Sequence, residues 1–292
     1  MSTQEPSLLS PGGPARRSTG MRLWRRFSFY GFLAVAGVTV ASAAYPPPER
    51  PSAAPAEPQA VQQAAATAAV ESPLDEPLRL VNQAAHSYRN VRDYQCKLIK
   101  RERVGNVLQP QNTMLMYART TPFSIYFRWL EPTSLAGQEV CFVAGRYNNN
   151  MRVHPNGLRS MVGFVTLDVN DPRARATSRH AITEAGIGAL IGQLATSWEK
   201  ERQWNATRVQ TAVYTFDGRR CTRVDMIHPA NRDGRYLHYR DIVYFDQESH
   251  LPVRMEAYDW PRYQGDAGDL LEMYSYVSLR FNVGLRDDIF NH

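Results

Sequence analysis

The eight residues Phe123-Ser124-Ile125-Tyr126-Phe127-Arg128-Trp129-Leu130 carry bulky apolar side chains at alternate positions, the period of a β-strand. Phe123, Ile125, Phe127 and Trp129 fall on one face, while Tyr126 and Leu130 flank Arg128 on the other. A strand with one solvated face alternates more cleanly between apolar and polar side chains. This strand belongs in a sheet with one face packed into a wall and the other beneath a cover.

Similar short segments lie on both sides of it. Tyr94–Val104, Thr113–Arg119, Glu139–Ala144 and Met151–His154 read as strands, separated by turn formers such as Gly105-Asn106, Pro132, Gly145 and Asn148-Asn149-Asn150. Further on, Ala206–Phe216, Arg220–His228, Tyr236–Phe245, Val253–Tyr258 and Leu270–Phe281 read the same way, with Asp217-Gly218 a favoured hairpin connection. Short strands with tight connections specify an antiparallel meander rather than βαβ units. Two helices interrupt it. Leu78, Val81, Ala85 and Tyr88 recur at helical spacing, and Ile187, Leu190, Ile191, Leu194 and Trp198 form one apolar stripe behind a candidate N-cap at Thr183. Gly188, Gly192 and Ala195 make a neighbouring small-residue stripe suited to close packing. The expected fold class is α+β, mainly β: a curved antiparallel sheet of about ten strands forming an incomplete barrel, covered by helices. The Thr183–Lys200 helix is the simplest cover for the second face of the Phe123–Leu130 strand.

The chain has 292 residues, and its first 45 differ from the rest. Arg16, Arg17, Arg22, Arg25 and Arg26 precede an uncharged apolar run from Phe27 to Ala44 that ends in Ala41-Ser42-Ala43. That order is a signal peptide, or an N-terminal membrane anchor if it stays uncleaved. Either way the chain beyond it is expected in the periplasm, secreted, or anchored to the inner membrane and facing the periplasm. Residues 46–74, rich in Pro and Ala, read as a disordered linker. The folded domain is expected over 75–292. The whole chain holds 34 Lys plus Arg against 28 Asp plus Glu, and beyond the leader the basic residues are diffuse and largely arginine. No basic run interleaved with aromatics appears, so nucleic acid is not an expected partner.

Several blocks of the sequence resemble a bacterial family, domain of unknown function 1571. They are Tyr94-x-Cys96 leading to Lys100-x-Glu102-Arg103-Val104, then Pro122-Phe123-Ser124-x-Tyr126-x-x-Trp129-x-x-Pro132, Gly137-Gln138-Glu139, Gly145-Arg146-Tyr147-Asn148, Ile182-Thr183-Glu184-Ala185-Gly186-Ile187 and Gly284-Leu285-x-Asp287-x-x-Phe290. The family is related to the lipoprotein-carrier (LolA/LolB-like) fold. That resemblance implies a half-open barrel around lipid-like groups and transfers no functional residues.

The residues offer little chemistry. Histidines 154, 180, 228, 238, 250 and 292 show no H-x-x-x-H or H-E-x-x-H spacing, so no metal site is expected. There is no G-x-S-x-G elbow and no phosphate-cradling glycine loop. Catalytic residues and cofactors are therefore both expected to be none. Lys100 to Arg103 read as a solvated strand edge with cross-strand ion pairs, or as a clamp for an anionic headgroup. Asp241, Asp246 and Glu248 read as turn and edge acids. Cys96, Cys141 and Cys221, all on expected strands, read as small buried hydrophobes.

The expected function is a non-enzymatic binding protein holding a lipid-like or lipidated ligand between half-barrel and helical lid. The ligand-binding candidates are Phe123, Ile125, Phe127, Trp129, Ile187, Leu190, Ile191 and Leu194. An envelope protein or a membrane surface is a further expected partner. A structural or interaction module of the cell envelope is the alternative, and an envelope enzyme, which needs a polar cluster facing the cavity, is a third. The sequence leaves oligomeric state open.

Overall fold

A computed structural model describes residues 72–292 apart from residue 232. The leader expected over 1–45, and all but the last three residues of the 46–74 linker, lie outside the described residues. Helix α1 spans Asp75–Tyr88, α2 the single turn Pro172–Arg175, and α3 Ile187–Arg202. The strands are β1 (Asp93–Val104), β2 (Val107–Leu108), β3 (Asn112–Arg119), β4 (Ser124–Glu131), β5 (Glu139–Val143), β6 (Met151–His154), β7 (Val165–Leu167), β8 (Arg208–Phe216), β9 (Arg219–Ile227), β10 (Arg240–Asp246), β11 (Pro252–Tyr258) and β12 (Leu270–Phe281).

All twelve strands join one curved, open antiparallel sheet, in the order β7-β6-β5-β4-β3-β1-β12-β11-β10-β9-β8 with β2 attached to β1. The mainly β, helix-covered architecture is the expected one. The two strands beyond the expected ten are the short β2 and β7, each too brief to give a period. The first and last long strands, β1 and β12, pair at the sheet's centre, leaving β7 and β8 as its free ends. Gln95 faces Arg280 but Lys97 faces Val277, so β12 carries an extra residue there, and Ser278 takes the positive φ of a bulge.

The concave face of the sheet and the two long helices share one core. Tyr94, Cys96 and Leu98 of β1, Met114 and Met116 of β3, Ile125 and Phe127 of β4, and Val224, Val243, Phe245 and Val253 beyond β12 all contribute to it. Leu78 and Val81 of α1 and the Ile187–Trp198 stripe of α3 close it from above.

Three expectations are corrected. First, α3 begins at Ile187 and not after Thr183, which sits in a short 3-10 turn. Its N-cap is Gly186, with φ 98°, and a Cβ there would come within 2.6 Å of the Tyr94 hydroxyl. That buried hydroxyl accepts a hydrogen bond from the Ile187 backbone N–H at 3.0 Å, doing what a side-chain cap does elsewhere. Second, the other face of β4 is covered by the chain's own C-terminus and not by α3. Tyr126, Cys141 and Val143 pack with Phe290, Leu285 and Ile289. Asp93 accepts backbone N–H bonds from Gly284 and Leu285, and Arg119 lies over the Phe290 ring, 4.9 Å from its centroid. Third, β1 is a central strand, so Lys100 to Arg103 do not form a solvated edge.

Candidate functional site

The helices do not fill the whole concave face. Toward the β4–β7 side a cavity of about 760 Å³ lies between the sheet and the chain from residue 155 to the first turns of α3. Alternation on the strands builds its walls. Leu98, Met114, Phe127 and Val140 present the inner face of β1, β3, β4 and β5, and Val153 and Leu167 extend it across β6 and β7. Phe127 and Trp129 meet edge to face at 6.2 Å, and the Trp129 indole N–H donates to Asn112 Oδ1 at 2.8 Å, so the ring is held with its polar atom satisfied. Leu190 comes from α3, and Ile182 and Ala185 from the turn before it. Residues that line the cavity and are also exposed, among them Arg159, Val162, Val165 and Arg173, mark its opening. On the same turn, Leu158 and Met161 are 93% and 89% exposed.

One end of the cavity is polar. Lys100 and Glu102 continue the inner face that Tyr94, Cys96 and Leu98 begin, and their register partners on β12 are Tyr274 and Glu272. Two carboxylates thus face each other across adjacent strands, a destabilising arrangement unless cations intervene. Glu102, only 2% exposed, is 3.0 Å from the Lys100 ammonium and accepts from the Tyr274 hydroxyl and the Arg179 backbone N–H. Glu272 accepts from Arg179 Nε at 3.1 Å and pairs with His180 Nε2 at 2.7 Å. His238, 3.9 Å from Glu272 Oε1, is itself held by Asp241 at 2.7 Å. Burial pushes the Glu272 carboxyl up, but the His180 hydrogen bond and the His180, His238 and Arg179 charges outweigh it and hold it at about 2. Burial also opposes the charged imidazole of His180, and Glu272 overcomes that too, raising its pKa. In Glu102 burial is again outweighed, by the Lys100 charge and the Tyr274 hydroxyl, and the carboxyl is lowered.

The polar cluster is a strap. Ser178, Arg179 and His180 belong to the segment leading into α3, while Lys100, Glu102, Glu272 and Tyr274 belong to the two central strands. Lys100 Nζ donates to Ser178 Oγ at 2.9 Å, and the Ser178 hydroxyl donates to the His180 carbonyl. Each of these groups is engaged by another member of the cluster. Among the described residues, no set of three or more His, Cys, Asp or Glu side chains is placed to hold a metal ion.

The eight candidate ligand-binding residues divide in two. Phe127, Trp129 and Leu190 line the cavity. Ile125, Ile187, Ile191 and Leu194 are buried in the filled core, and Phe123 packs between that core and the Val140/Phe142/Met151 cluster. Sequence reasoning missed the outer wall, from Val162 through Leu167 to Ala174. Its only signal was a scatter of valines without a period. His228, buried deeper, pairs with Glu201 at 2.9 Å and anchors the far end of α3. Asp246, read as a turn acid, is buried and taken by Arg219 and Ser249. It lies in a second hollow of about 820 Å³, open and polar, formed by the turns around Asp217 and Glu248. All three cysteines are buried and unpaired.

A family model described as "Protein of unknown function (DUF1571)" matches residues 91–292. No curated protein matches the chain. Among solved structures, the lipoprotein LppX from Mycobacterium tuberculosis is 12% identical, with 73% of this chain and 98% of that chain covered and a TM-score of 0.42. A LolA superfamily protein from Nitrosomonas europaea is also 12% identical, covering 73% and 96%, at a TM-score of 0.35. An uncharacterized conserved protein from Thermus thermophilus is 9% identical, covering 74% and 93%, at a TM-score of 0.43.

Proposed function

We propose that this chain, which belongs to the DUF1571 family, is an exported, non-enzymatic binding protein that holds one lipid-like molecule in the cavity between its sheet and the α3 region. The observation that carries this reading is the cavity itself. Its volume of about 760 Å³ matches that of sites for small apolar ligands, and its strand walls are Leu, Met, Phe, Trp and Val side chains, with a polar cluster at one end and arginines toward the opening. Protein interiors otherwise close such spaces to crystal-like density. The polar end supports binding over reaction, because its side chains are bonded to one another. The Arg-rich, apolar leader supports export.

The opening supports a membrane surface as the place of loading. Leu158, Met161 and Val162 stand exposed on one turn with Arg159 among them, an arrangement that favours the headgroup boundary of a bilayer.

Organic extraction and mass spectrometry of the purified full-length chain test the reading. The expected result is a stoichiometric apolar species, lost when Phe127 and Trp129 are both replaced by Asp. A chain that carries nothing and takes up no lipid from vesicles would sink it.

A further inference from the structure

The cations along the cavity are not equivalent. Lys100 is paired with Glu102, His180 with Glu272, and Arg173 with Asp171 at 2.8 Å. Arg159 and Arg175 also line the cavity and have no carboxylate partner among the described residues. Arg175 is the sharper case. Its guanidinium, with Nη1 shut away from solvent, has no hydrogen-bond acceptor among the described residues. A guanidinium cannot shed its proton to escape that situation, so a buried N–H of this kind calls for an acceptor. The acidic residues of the cavity do not supply one: Glu102 and Glu272 are engaged in the strap, and the Glu184 carboxylate accepts from the Ala181 backbone N–H at 3.0 Å. Among the described residues no acceptor reaches it, and the cavity it lines has room for one carried by a ligand.

We infer that Arg175, with Arg159 beside the opening, binds the anionic oxygen head of an amphiphile, a carboxylate or a phosphate ester, whose apolar body occupies the cavity. The inference rests on the lipid-binding reading and narrows it to anionic ligands. Arginine suits the task because its fork of N–H donors matches both oxygens of a carboxylate or phosphate. Chain and head are recognised in separate places: apolar β-strand side chains take the chain, and the loop and short helix between β6 and α3 take the charge.

Displacement of the uncharged dye Nile red from the full-length chain by hexadecanoate, hexadecyl phosphate and hexadecanol tests this. The two anions are expected to bind about tenfold or more tightly than the alcohol, the scale of one charge-assisted hydrogen bond. The variant R175Q, and more so R159Q/R175Q, should lose that advantage while hexadecanol affinity and the melting temperature stay unchanged. R175K should recover part of it. Equal binding of all three probes to the native chain overturns the inference and leaves lipid binding standing. Failure of all three to bind overturns both. If inorganic phosphate alone abolishes the advantage of hexadecyl phosphate, the site serves a free anion, and the inference fails.

Discussion

Helix α3 meets the same concave sheet in two different ways. Along its length from Ile191 to Trp198 the contact is dry and filled, with Leu194 buried and the Trp198 ring edge-on to Phe245 at 6.3 Å. At its start the helix is a shoulder. Leu190 and Gln193 look into the cavity, and the strap of Ser178, Arg179 and His180 takes over the work of holding cover to sheet. The middle of the helix is held by apolar area, and beside the cavity the cover is held to the sheet by the charges of the strap. A dry contact cannot open without exposing hydrocarbon, whereas a strap of ion pairs and hydrogen bonds can exchange its partners for water. The part of the cover able to yield to a ligand is therefore the part next to the cavity.

The sharpest way to break this contrast is to truncate a tryptophan on each side. Trp198 is 1% exposed, and Trp198→Ala should cost about 3–5 kcal/mol of unfolding free energy in urea titration. Trp129 already has an open space beside its ring, so Trp129→Ala should cost only about 1–2 kcal/mol, the loss of partial burial and of its bond to Asn112. Equal costs would mean that both ends are equally filled.

The strap gives an intermediate effect with its own pH signature. Glu272→Gln removes a buried carboxylate that Arg179 and His180 lean on, and should cost about 2 kcal/mol near neutral pH. A carboxyl ordinarily at 4.5 and held at about 2 contributes stability that is complete above 4.5 and is lost as pH falls toward 2. His180 has the opposite sign: its raised pKa contributes fully below 6.5, and the contribution fades as pH rises through the folded value. The stability gap between the native chain and E272Q should therefore be widest between pH 4.5 and 6.5 and narrow on both sides. Urea midpoints across that range measure it, and a flat gap would remove the ionic account of the strap.

The filled half was far more legible in the sequence than the strapped half. Period two in Phe123–Leu130 and the period of 3.6 from Ile187 to Trp198 are local signals, and both describe the core correctly. Lys100 and Glu102 were also placed on one face by alternation. Nothing local says that this face turns inward, because that depends on β1 pairing with β12, far along the chain, which sets Glu102 opposite Glu272. The start of α3 failed for a related reason. Thr183 has the right chemistry for a cap, but a tyrosine hydroxyl from a distant strand serves instead, and Gly186 is there to admit it. The C-terminal block Gly284-Leu285-x-Asp287-x-x-Phe290 gave no sign that it folds back over β4.

The smallest expected effects test the small-residue stripe on α3, which proves not to act as a unit. A Cβ on Gly188 would lie 2.5 Å from the Tyr88 ring, so this glycine lets α3 and α1 approach closely. A Cβ on Gly192 would meet nothing within 4 Å. Gly192 is helix-interior, where alanine is favoured over glycine by up to ~1 kcal/mol, whereas Gly188 is the second residue of α3, in its first turn, where the preference is weaker. Gly192→Ala should therefore raise stability by about 0.5–1 kcal/mol, with ligand affinity unchanged. Gly188→Ala gains less from propensity and must displace the Tyr88 ring packed against α3, and should lower stability by about 1 kcal/mol. Opposite signs for two identical substitutions four residues apart cannot come from propensity, which favours alanine at both. A stabilising Gly188→Ala would show that Tyr88 moves aside freely and that the α1–α3 contact is looser than the filled core it borders.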